Sequence, residues 1–529
     1  MKVSDYIANF LSKRTQFVFG GQGGSVVHLV NSIDKNKKIS FIPGQNEQAS
    51  SMAADAYARI SGGLGVALTT SGPGATNLLT GVCCSYYDSI PVLLITGQVP
   101  TSQLKRDSQS RQIGFQETDV VSIFQSVTKY AKLVDDAEDI RYELEKAVYL
   151  AQEGRPGPVL LDICDDIQRA EVNPDELKAF TPEVTIDNLK VSKNQIKSVI
   201  ELLEQSERPV FIFGGGVRSG KAIEVAERLI MNYRLPYSLT WGASDVFTQN
   251  NELFVGGFGV TSGRPGNFAV QNADLIVTVG TRLDTHEVGS DIKTFGRGAK
   301  KVIVDIDPAE QEKYIKNGMD VDVLVTADAL KFLELLLKNL EDVQMQDRSD
   351  WVSYITKWKS KYPICTDDYR GQQSLVNPYF FMEVLSGVLD DAAVIVTDCG
   401  SNLIWTMQGL KVKGNQRVIS AFNHSPMGYS LPASIGAALA APDKQIICIT
   451  GDGGLQINIQ ELATIYRHKL DIKIFVLNNH GHGIIQGTQD NWLGERHHAA
   501  HPDQGLPDPT FSEISMAYGI PSRVVNSHS

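Results

Sequence analysis

Short apolar runs alternate along the chain with longer segments in which apolar residues have helical spacing. Continuous apolar runs of this kind are typical of strands that are buried on both faces of a parallel sheet. The alternation therefore predicts an α/β protein built on open parallel sheets. The predicted strands are residues 65–70, 91–96, 158–163, 209–213, 275–279, 301–306, 394–397, 445–450 and 473–477.

Two polar stretches with prolines interrupt this alternation, residues 170–188 and residues 341–377, and we predict linkers there. A chain of 529 residues exceeds the size at which a single core stops growing. We therefore predict three consecutive open parallel-sheet α/β domains, at residues 1–170, 190–340 and 375–529.

Composition and charge exclude several classes of protein. With 42% hydrophobic and 21% charged residues, the chain has ordinary globular usage, which argues against disorder and coiled coils. A net charge of −12 argues against a nucleic-acid partner. Six dispersed cysteines lack metal-ligand spacing and indicate reduced thiols. Since no apolar run approaches the ~20 residues of a membrane span, we predict a cytoplasmic protein without a membrane partner.

The most specific motif starts with GDGG at residues 451–454 and ends with NN at residues 478–479. Asp452 and Asn479 each follow an apolar strand, and 27 positions separate them. A right-handed crossover of about 30 residues brings the carboxyl ends of two parallel strands to one edge of the sheet. A carboxylate and an amide oxygen there suit Mg²⁺, which completes its shell with phosphates and water.

Three glycines of this motif, Gly451, Gly453 and Gly454, allow the backbone and a helix N-terminus to approach a phosphate closely. GDGG in isolation is commonly only a tight turn, and NN only a polar loop. The two together, at this interval and after two apolar strands, favour a diphosphate site and resemble the thiamine-diphosphate signature.

Glu47 lies at the start of a predicted alanine-rich helix, and two interpretations apply to it. An acidic residue in a first turn complements the helix dipole, which is worth about 0.3 to 1 kcal/mol. Alternatively, an enclosed carboxyl group that keeps a proton can hydrogen-bond the pyrimidine of thiamine diphosphate and promote deprotonation of its reactive carbon.

The segments NEQASSMAADAYAR, SGPGATNLLTG, DSIPVLLITGQVP, FQETD and GRPGPVLLDI follow one another much as they do in acetohydroxyacid (acetolactate) synthases. The resemblance continues through FGGGV, ADLIVTVGTRLD, VDIDPAE and PMGYSLPASIGAALA to the GDGG and NN motifs. It implies pyrimidine-binding, central and diphosphate-binding domains, with Glu47 as the catalytic glutamate. It also implies that the cofactor is held between two subunits, so we expect at least a homodimer, and a homotetramer as the full assembly.

The resemblance further implies Asp452, Asn479 and the Gly481 carbonyl as magnesium ligands. Met427 matches the large apolar residue that bends the cofactor, although an isolated Met is more often a core filler. The Ser425 carbonyl would accept a hydrogen bond from the cofactor's amino group. Further contacts with the cofactor are implied for Gly23, Gly24, Gly74, Asn77, Gly400, Ser401, Asn402 and Ile484.

Phe115 and Gln116 match positions that line the family's substrate pocket. His480 and His482 follow Asn479 directly or closely and are candidates for substrate contact or proton transfer. A histidine in a loop is more often merely solvated, and both interpretations stay open.

The central unit resembles the FAD-binding domain of acetohydroxyacid synthases, which holds no flavin in many relatives. Arg282 matches the first arginine of that domain, whereas His286 replaces the second. FGGGVRSG lacks the complete G-x-G-x-x-G fingerprint, so a dinucleotide redox role is disfavoured. FAD stays open, and its role would be structural.

Several residues depart from the family pattern. Asn46 replaces a His, Gln22 replaces a Pro, and Thr488 replaces the Trp that reads the acceptor ketoacid. The last change enlarges the acceptor side and allows a bulkier or more polar acceptor. The histidine-rich segment at residues 487–511 is either a loop that covers the site or a plain surface connection. The chain also ends earlier than its relatives, from which we expect a truncated diphosphate-binding domain.

These observations predict a thiamine-diphosphate lyase or carboligase. The enzyme would decarboxylate a 2-oxo acid, expected to be pyruvate, and transfer the resulting acyl-anion equivalent to a carbonyl acceptor, with an activated keto-sugar as one candidate. One alternative is a simple 2-oxo-acid decarboxylase that releases an aldehyde. Another is a non-catalytic homologue that retains the fold, which is disfavoured because Glu47, Asp452 and Asn479 are all present.

Overall fold

A computed structural model describes residues 1–182, 190–494 and 496–528 of the chain. It contains three sheets in which every paired strand is parallel. The predicted fold class of consecutive parallel-sheet α/β domains is confirmed. Within the described ranges, no helix is both long and apolar enough to cross a bilayer.

The N-terminal sheet has six strands in the order β2-β1-β3-β4-β6-β5. Its strands are β1 Phe17–Gly20, β2 Ser40–Pro43, β3 Gly65–Thr69, β4 Val92–Gln98, β5 Tyr130–Val134 and β6 Val159–Cys164. The helices of this part are α1 Val3–Leu11, α2 Val27–Lys35, α3 Glu47–Ser61, α4 Pro73–Asn77, α5 Leu79–Asp88, α6 Val120–Phe124, α7 Ile140–Gln152 and α8 Asp165–Arg169.

The central sheet has five strands in the order β11-β10-β9-β7-β8. They are β7 Pro209–Phe213, β8 Tyr237–Leu239, β9 Leu275–Val279, β10 Lys300–Asp305 and β11 Val323–Thr326. The helices are α9 Lys193–Gln205, α10 Gly216–Ser219, α11 Ile223–Tyr233, α12 Arg264–Asn272, α13 Thr285–Val288, α14 Pro308–Lys316, α15 Ala329–Asn339, α16 Ser349–Lys361 and α17 Asp367–Arg370.

The C-terminal sheet has four strands in the order β13-β12-β14-β15. They are β12 Val394–Thr397, β13 Arg417–Ile419, β14 Ile446–Gly451 and β15 Ile472–Leu477. The helices are α18 Pro378–Val388, α19 Ser401–Gly409, α20 Ser430–Ala440, α21 Asp452–Ile457, α22 Leu462–His468, α23 Gly483–Leu493 and α24 Phe511–Ala517.

The chain forms two compact units, each with its own cores. In described residues, one unit comprises 1–182, 393–402 and 417–524, so it contains both the N-terminal and the C-terminal sheet. The other comprises 190–392, 403–416 and 525–528. In the first unit α3 packs on α20, and the backbone of Ala53 lies so close to Gly436 that a side chain there would clash. Alanines along α3 therefore serve close helix packing, as expected from the sequence.

The linker prediction is wrong for part of residues 341–377. Helix α16 lies there, and its Trp351 and Ile355 are buried in a core of the central part. These two residues are four positions apart, which places them on one helix face. Val172 and Leu177, in the other predicted linker, are buried in the N-terminal core, while residues 183–189 lie outside the described residues.

Candidate active site

The ends of β14 and β15 meet at one edge of the C-terminal sheet. Gly451 of β14 pairs with Leu477 of β15, and Asp452 follows directly as the first residue of α21. The Asp452 carboxylate is 7% exposed and accepts hydrogen bonds from its neighbour Gly453 N (2.7 Å) and from Gly481 N (2.8 Å). The predicted meeting of Asp452 with the loop after β15 is therefore observed.

The side chains of Asn479 and Ser401 both lie beside Gly483. A methyl group added at Gly483 would lie 2.9 Å from Asn479 Nδ2 and 3.2 Å from Ser401 Oγ. The described residues contain no group of three or more His, Cys, Asp or Glu side chains arranged for a metal ion. One carboxylate, one amide and one backbone carbonyl form an all-oxygen donor set, which fits a phosphate-bound Mg²⁺ rather than a zinc-type ion.

Met427 and His482 enclose the glycine turn. A methyl group at Gly453 would approach Met427 Cε to 2.8 Å and His482 Nε2 to 2.7 Å. Only a residue without a side chain leaves space for a bound group between them. The Gly453 N–H donates to Asp452 and is therefore not one of the unpaired donors expected at this helix N-terminus.

Asp398, which was not among the predicted site residues, lies beside this turn. Asp398 follows β12, is 1% exposed, and accepts from Gly428 N (2.9 Å) and from the hydroxyl groups of Ser430 (2.8 Å) and Thr450 (3.2 Å). Burial raises the pKa of Asp398, whereas its hydrogen bonds lower it. An acidic residue directly after an apolar run at the same sheet edge was the signal in the sequence.

The loop between β12 and α19 contains Gly400, Ser401 and Asn402. Gly400 has a φ of +84°, a conformation that favours glycine. The Asn402 side chain is 5% exposed, accepts from Asp398 N (3.2 Å) and donates to Cys399 O (2.6 Å). Asn402 thus orders the loop itself, and Ser401 is the neighbour of Asn479.

Glu47 is the first residue of α3. The preceding residue, Asn46, caps the helix, because its side chain accepts a hydrogen bond from Gln48 N (2.8 Å). Glu47 Oε2 accepts from Asn77 Nδ2 at 2.9 Å. A methyl group at Gly21 would lie 2.9 Å from Glu47 Oε1. Asn77 therefore orients the carboxyl group, and the glycine loop after β1 covers it.

Other residues predicted in the N-terminal part surround the turn after β3. Gly23 lies against Thr70, and a methyl group at Gly74 would lie 3.6 Å from Glu47 Oε1, whereas Gly24 has open space. Gln116 has a φ of +64°, and its carbonyl oxygen would lie 2.9 Å from a methyl group at Gly72. The structure thus brings Gly23, Gly74 and Gln116 to one region.

Four predicted residues are exposed. Phe115 is 84% exposed. His480 has a φ of +55°, and its Nδ1 lies 2.8 Å from Asp508 Oδ2. Ser425 has a φ of +51° and is exposed, and Ile484 on α23 is partly exposed. These groups lie at the surface, where a substrate or a second polypeptide can reach them.

No hydrogen bond within the described ranges joins Glu47 to Asp452. Within the described residues, the two carboxylates therefore have separate hydrogen-bond partners.

Arg282, which matches the first arginine of the FAD-binding domain, is paired with an acidic side chain in the central part. Arg282 Nε lies 3.3 Å from Glu310, and the His286 ring packs on Trp241 at a centroid distance of 4.3 Å. Burial raises the pKa of Glu287 to about 8, and Asp284 adds to this rise. Arg282 would have to leave Glu310 before it could bind a phosphate.

Comparisons with known proteins match three parts of the chain to domains of one enzyme family. Residues 1–123 match the N-terminal TPP binding domain of thiamine pyrophosphate enzymes, residues 196–336 their central domain, and residues 398–529 their C-terminal TPP binding domain. Fold and site thus define a thiamine pyrophosphate enzyme.

The relatives make the assignment more specific. The acetolactate synthase large subunit of Parasynechococcus marenigrum is 34% identical over 515 residues, which cover 95% of this chain and 80% of the relative. Those of Porphyra purpurea and Lactococcus lactis are each 32% identical, covering 96% of this chain and 85% and 84% of the relatives, respectively. The chain belongs to the thiamine pyrophosphate enzyme family, among relatives of the acetolactate synthase large subunit. The resemblance stated from its motifs is confirmed.

Proposed function

We propose that this protein is a thiamine-diphosphate-dependent carboligase that decarboxylates a 2-oxo acid, pyruvate in the first instance, and joins the remaining fragment to a carbonyl acceptor. The observation that carries the proposal is the meeting of Asp452 with the Asn479–Gly481 loop at one sheet edge. When bound, thiamine diphosphate supplies the nucleophilic carbon and the electron sink for decarboxylation.

The residues of the C-terminal part bind and orient in this proposal. Asp452, the Asn479 amide and the Gly481 carbonyl would hold Mg²⁺, and Ser401, which lies with Asn479 beside Gly483, would donate its hydroxyl hydrogen to a phosphate oxygen. Met427 presents an apolar side chain beside Gly453, which supports its role in bending the cofactor.

Glu47 would hold the proton that activates the cofactor. Its Oε2 is already engaged by Asn77, so Oε1 is the oxygen left to face the pyrimidine. Gly21 of the loop after β1 lies directly beside Oε1, where a methyl group would come within 2.9 Å of this oxygen. Gln116 would line the substrate side, with His480 and His482 as candidates for substrate contact.

The acceptor is the finer part of the proposal. Thr488 lies on α23 and donates its hydroxyl to Ile484 O (2.9 Å), so it presents only a small side chain where relatives carry an indole. We infer an acceptor larger than a simple 2-oxo acid, such as an activated keto-sugar. The same proposal includes Mg²⁺, a homodimer or homotetramer, and a cytoplasmic location. FAD stays a prediction, which the visible absorbance of the purified protein would test.

The decisive experiment supplies the protein with Mg²⁺, thiamine diphosphate and pyruvate, alone and with a panel of 2-oxo acids, aldehydes and nucleotide-activated keto-sugars. Mass spectrometry should find a product with the atoms of pyruvate plus acceptor minus CO₂. Acetaldehyde as the sole product with every acceptor would instead establish the simple decarboxylase. Absence of CO₂ release from every 2-oxo acid tested, with cofactor bound, would refute the enzymatic proposal.

A further inference from the structure

The segment of residues 421–429, between β13 and α20, carries both Ser425 and Met427. Its backbone is unfavourable in isolation at Ser425, which has a φ of +51°, whereas glycine readily adopts the φ of +87° found at Gly428. A left-handed conformation at a residue with a side chain persists only when the surroundings hold it. The contacts that hold this segment therefore decide where Met427 lies.

Asp88, the last residue of α5 in the N-terminal part, holds the start of the segment. Its Oδ2 accepts from Phe422 N at 2.9 Å. Its Oδ1 accepts from Asn423 N at 3.1 Å and from Asn423 Nδ2 at 2.6 Å. One carboxylate thus fixes two consecutive backbone groups of the segment.

The end of the segment is held by Asp55 of α3. Tyr429, which is fully buried, donates its hydroxyl to Asp55 Oδ1 at 2.5 Å. Burial raises the pKa of Tyr429 well above its usual value, so the hydroxyl keeps the proton that it donates. Asp55 also accepts from Ser85 Oγ at 2.9 Å.

Arg59 joins the two carboxylates. Its Nε lies 2.7 Å from Asp55 and its Nη2 lies 2.8 Å from Asp88. The side chains of Arg59, Asp55 and Asp88 are 7%, 0% and 4% exposed, respectively. Buried, charge-assisted hydrogen bonds of this kind are stronger than surface pairs, and removing one partner leaves a charge without compensation.

We propose that Asp88 is a positioning residue for the reaction, acting with Arg59 and Asp55 to hold the 421–429 segment so that Met427 stands beside the cofactor. All members of this clamp lie in the same chain, so each subunit would shape its own diphosphate-binding half. The inference rests on the proposed function, because it assigns Met427 to the cofactor.

Two variants test it, Asp88→Ala and Asn423→Ala, with Glu143→Gln as a matched control. Glu143 is also a buried carboxylate of the N-terminal part, 5% exposed and bonded to Tyr130, but it does not bond to the segment. Asn423→Ala removes an exposed side chain, so it keeps the proposal testable even if Asp88→Ala fails to fold.

The first measurement is hydrogen–deuterium exchange of the 421–429 segment in the protein without cofactor. We expect exchange to rise at least about tenfold in Asp88→Ala and less in Asn423→Ala, with no change in the control. Unchanged exchange in both variants would refute the statement that Asp88, Arg59 and Asp55 hold the 421–429 segment, whether or not the protein is a carboligase.

The second measurement uses protein loaded with thiamine diphosphate and Mg²⁺. We expect the near-ultraviolet circular dichroism of the bound cofactor to change and kcat to fall about tenfold or more, with a smaller change in cofactor Kd. Raised exchange with an unchanged spectrum and kcat would overturn the positioning role. Failure of the wild type to bind the cofactor would instead refute the proposed function and, with it, this role.

Discussion

Asp452 has a structural role that the hydrogen bonds show and a proposed cofactor-binding role, and substitution can separate the two. Its carboxylate accepts from the buried N–H groups of Gly453 and Gly481, and thereby ties the end of β14 to the loop after β15. A buried donor without an acceptor costs about 1 to 3 kcal/mol. Asp452→Ala leaves two such donors, so we expect it to lower the free energy of unfolding by about 2 to 6 kcal/mol. Asp452→Asn keeps one acceptor, and we expect a loss of about 1 to 3 kcal/mol.

Ligand binding distinguishes the second role. A ligand at 100 times its Kd stabilises the folded state by about 2.7 kcal/mol, and we expect the wild type to gain stability of this order from thiamine diphosphate with Mg²⁺. Asp452→Asn should gain almost none, because the metal loses its charged side-chain ligand. Chemical denaturation with and without the ligands measures both effects.

The control is Asp471→Asn, a surface carboxylate just before β15 that is 86% exposed and should leave both quantities unchanged. Undiminished ligand stabilisation in Asp452→Asn would refute the metal-ligand assignment. A loss below about 1 kcal/mol in Asp452→Ala would refute the hydrogen bonding described at this edge.

Glu47→Gln keeps an acceptor for Asn77, so the cofactor affinity measured by calorimetry should stay nearly unchanged. We expect kcat to fall by orders of magnitude, and normal turnover would exclude Glu47 as the activating group. Gly453→Ala should weaken cofactor binding with little loss in Tm, because its methyl group fills the space beside Met427. Full cofactor affinity in this variant would contradict a cofactor site at Gly453. Burial raises the pKa of Asp162 from its usual 3.8 to about 7, so the folded state holds this proton more tightly and loses stability as pH rises between these values. This shift in pKa corresponds to about 4 kcal/mol of stability. The free energy of unfolding of Asp162→Asn relative to that of the wild type should therefore rise with pH, and a pH-independent difference between the two would exclude the raised pKa of Asp162.

Most strands that the sequence predicted are buried on both faces, and β15, at a sheet edge, is the exception. All nine predicted apolar runs are strands, and 209–213, 275–279 and 394–397 have the observed bounds. Six further strands are absent from that prediction, β1, β2, β5, β8, β11 and β13, and all of them except β1 lie at sheet edges. An edge strand pairs on one side only and needs less apolar sequence, so periodicity reveals it less readily.

The sequence also determined which chemistry meets at the C-terminal sheet edge, because strand, crossover and strand leave Asp452 and the Asn479 loop no other relative placement. Contacts between residues far apart in the chain were decided by the tertiary structure alone. Asp88 and Phe422 are 334 positions apart, and Asp55 and Tyr429 are 374 apart. Periodicity and motif spacing describe neighbours within one strand–helix unit, whereas these pairs form only when α3 and α5 pack against the C-terminal sheet and its loops.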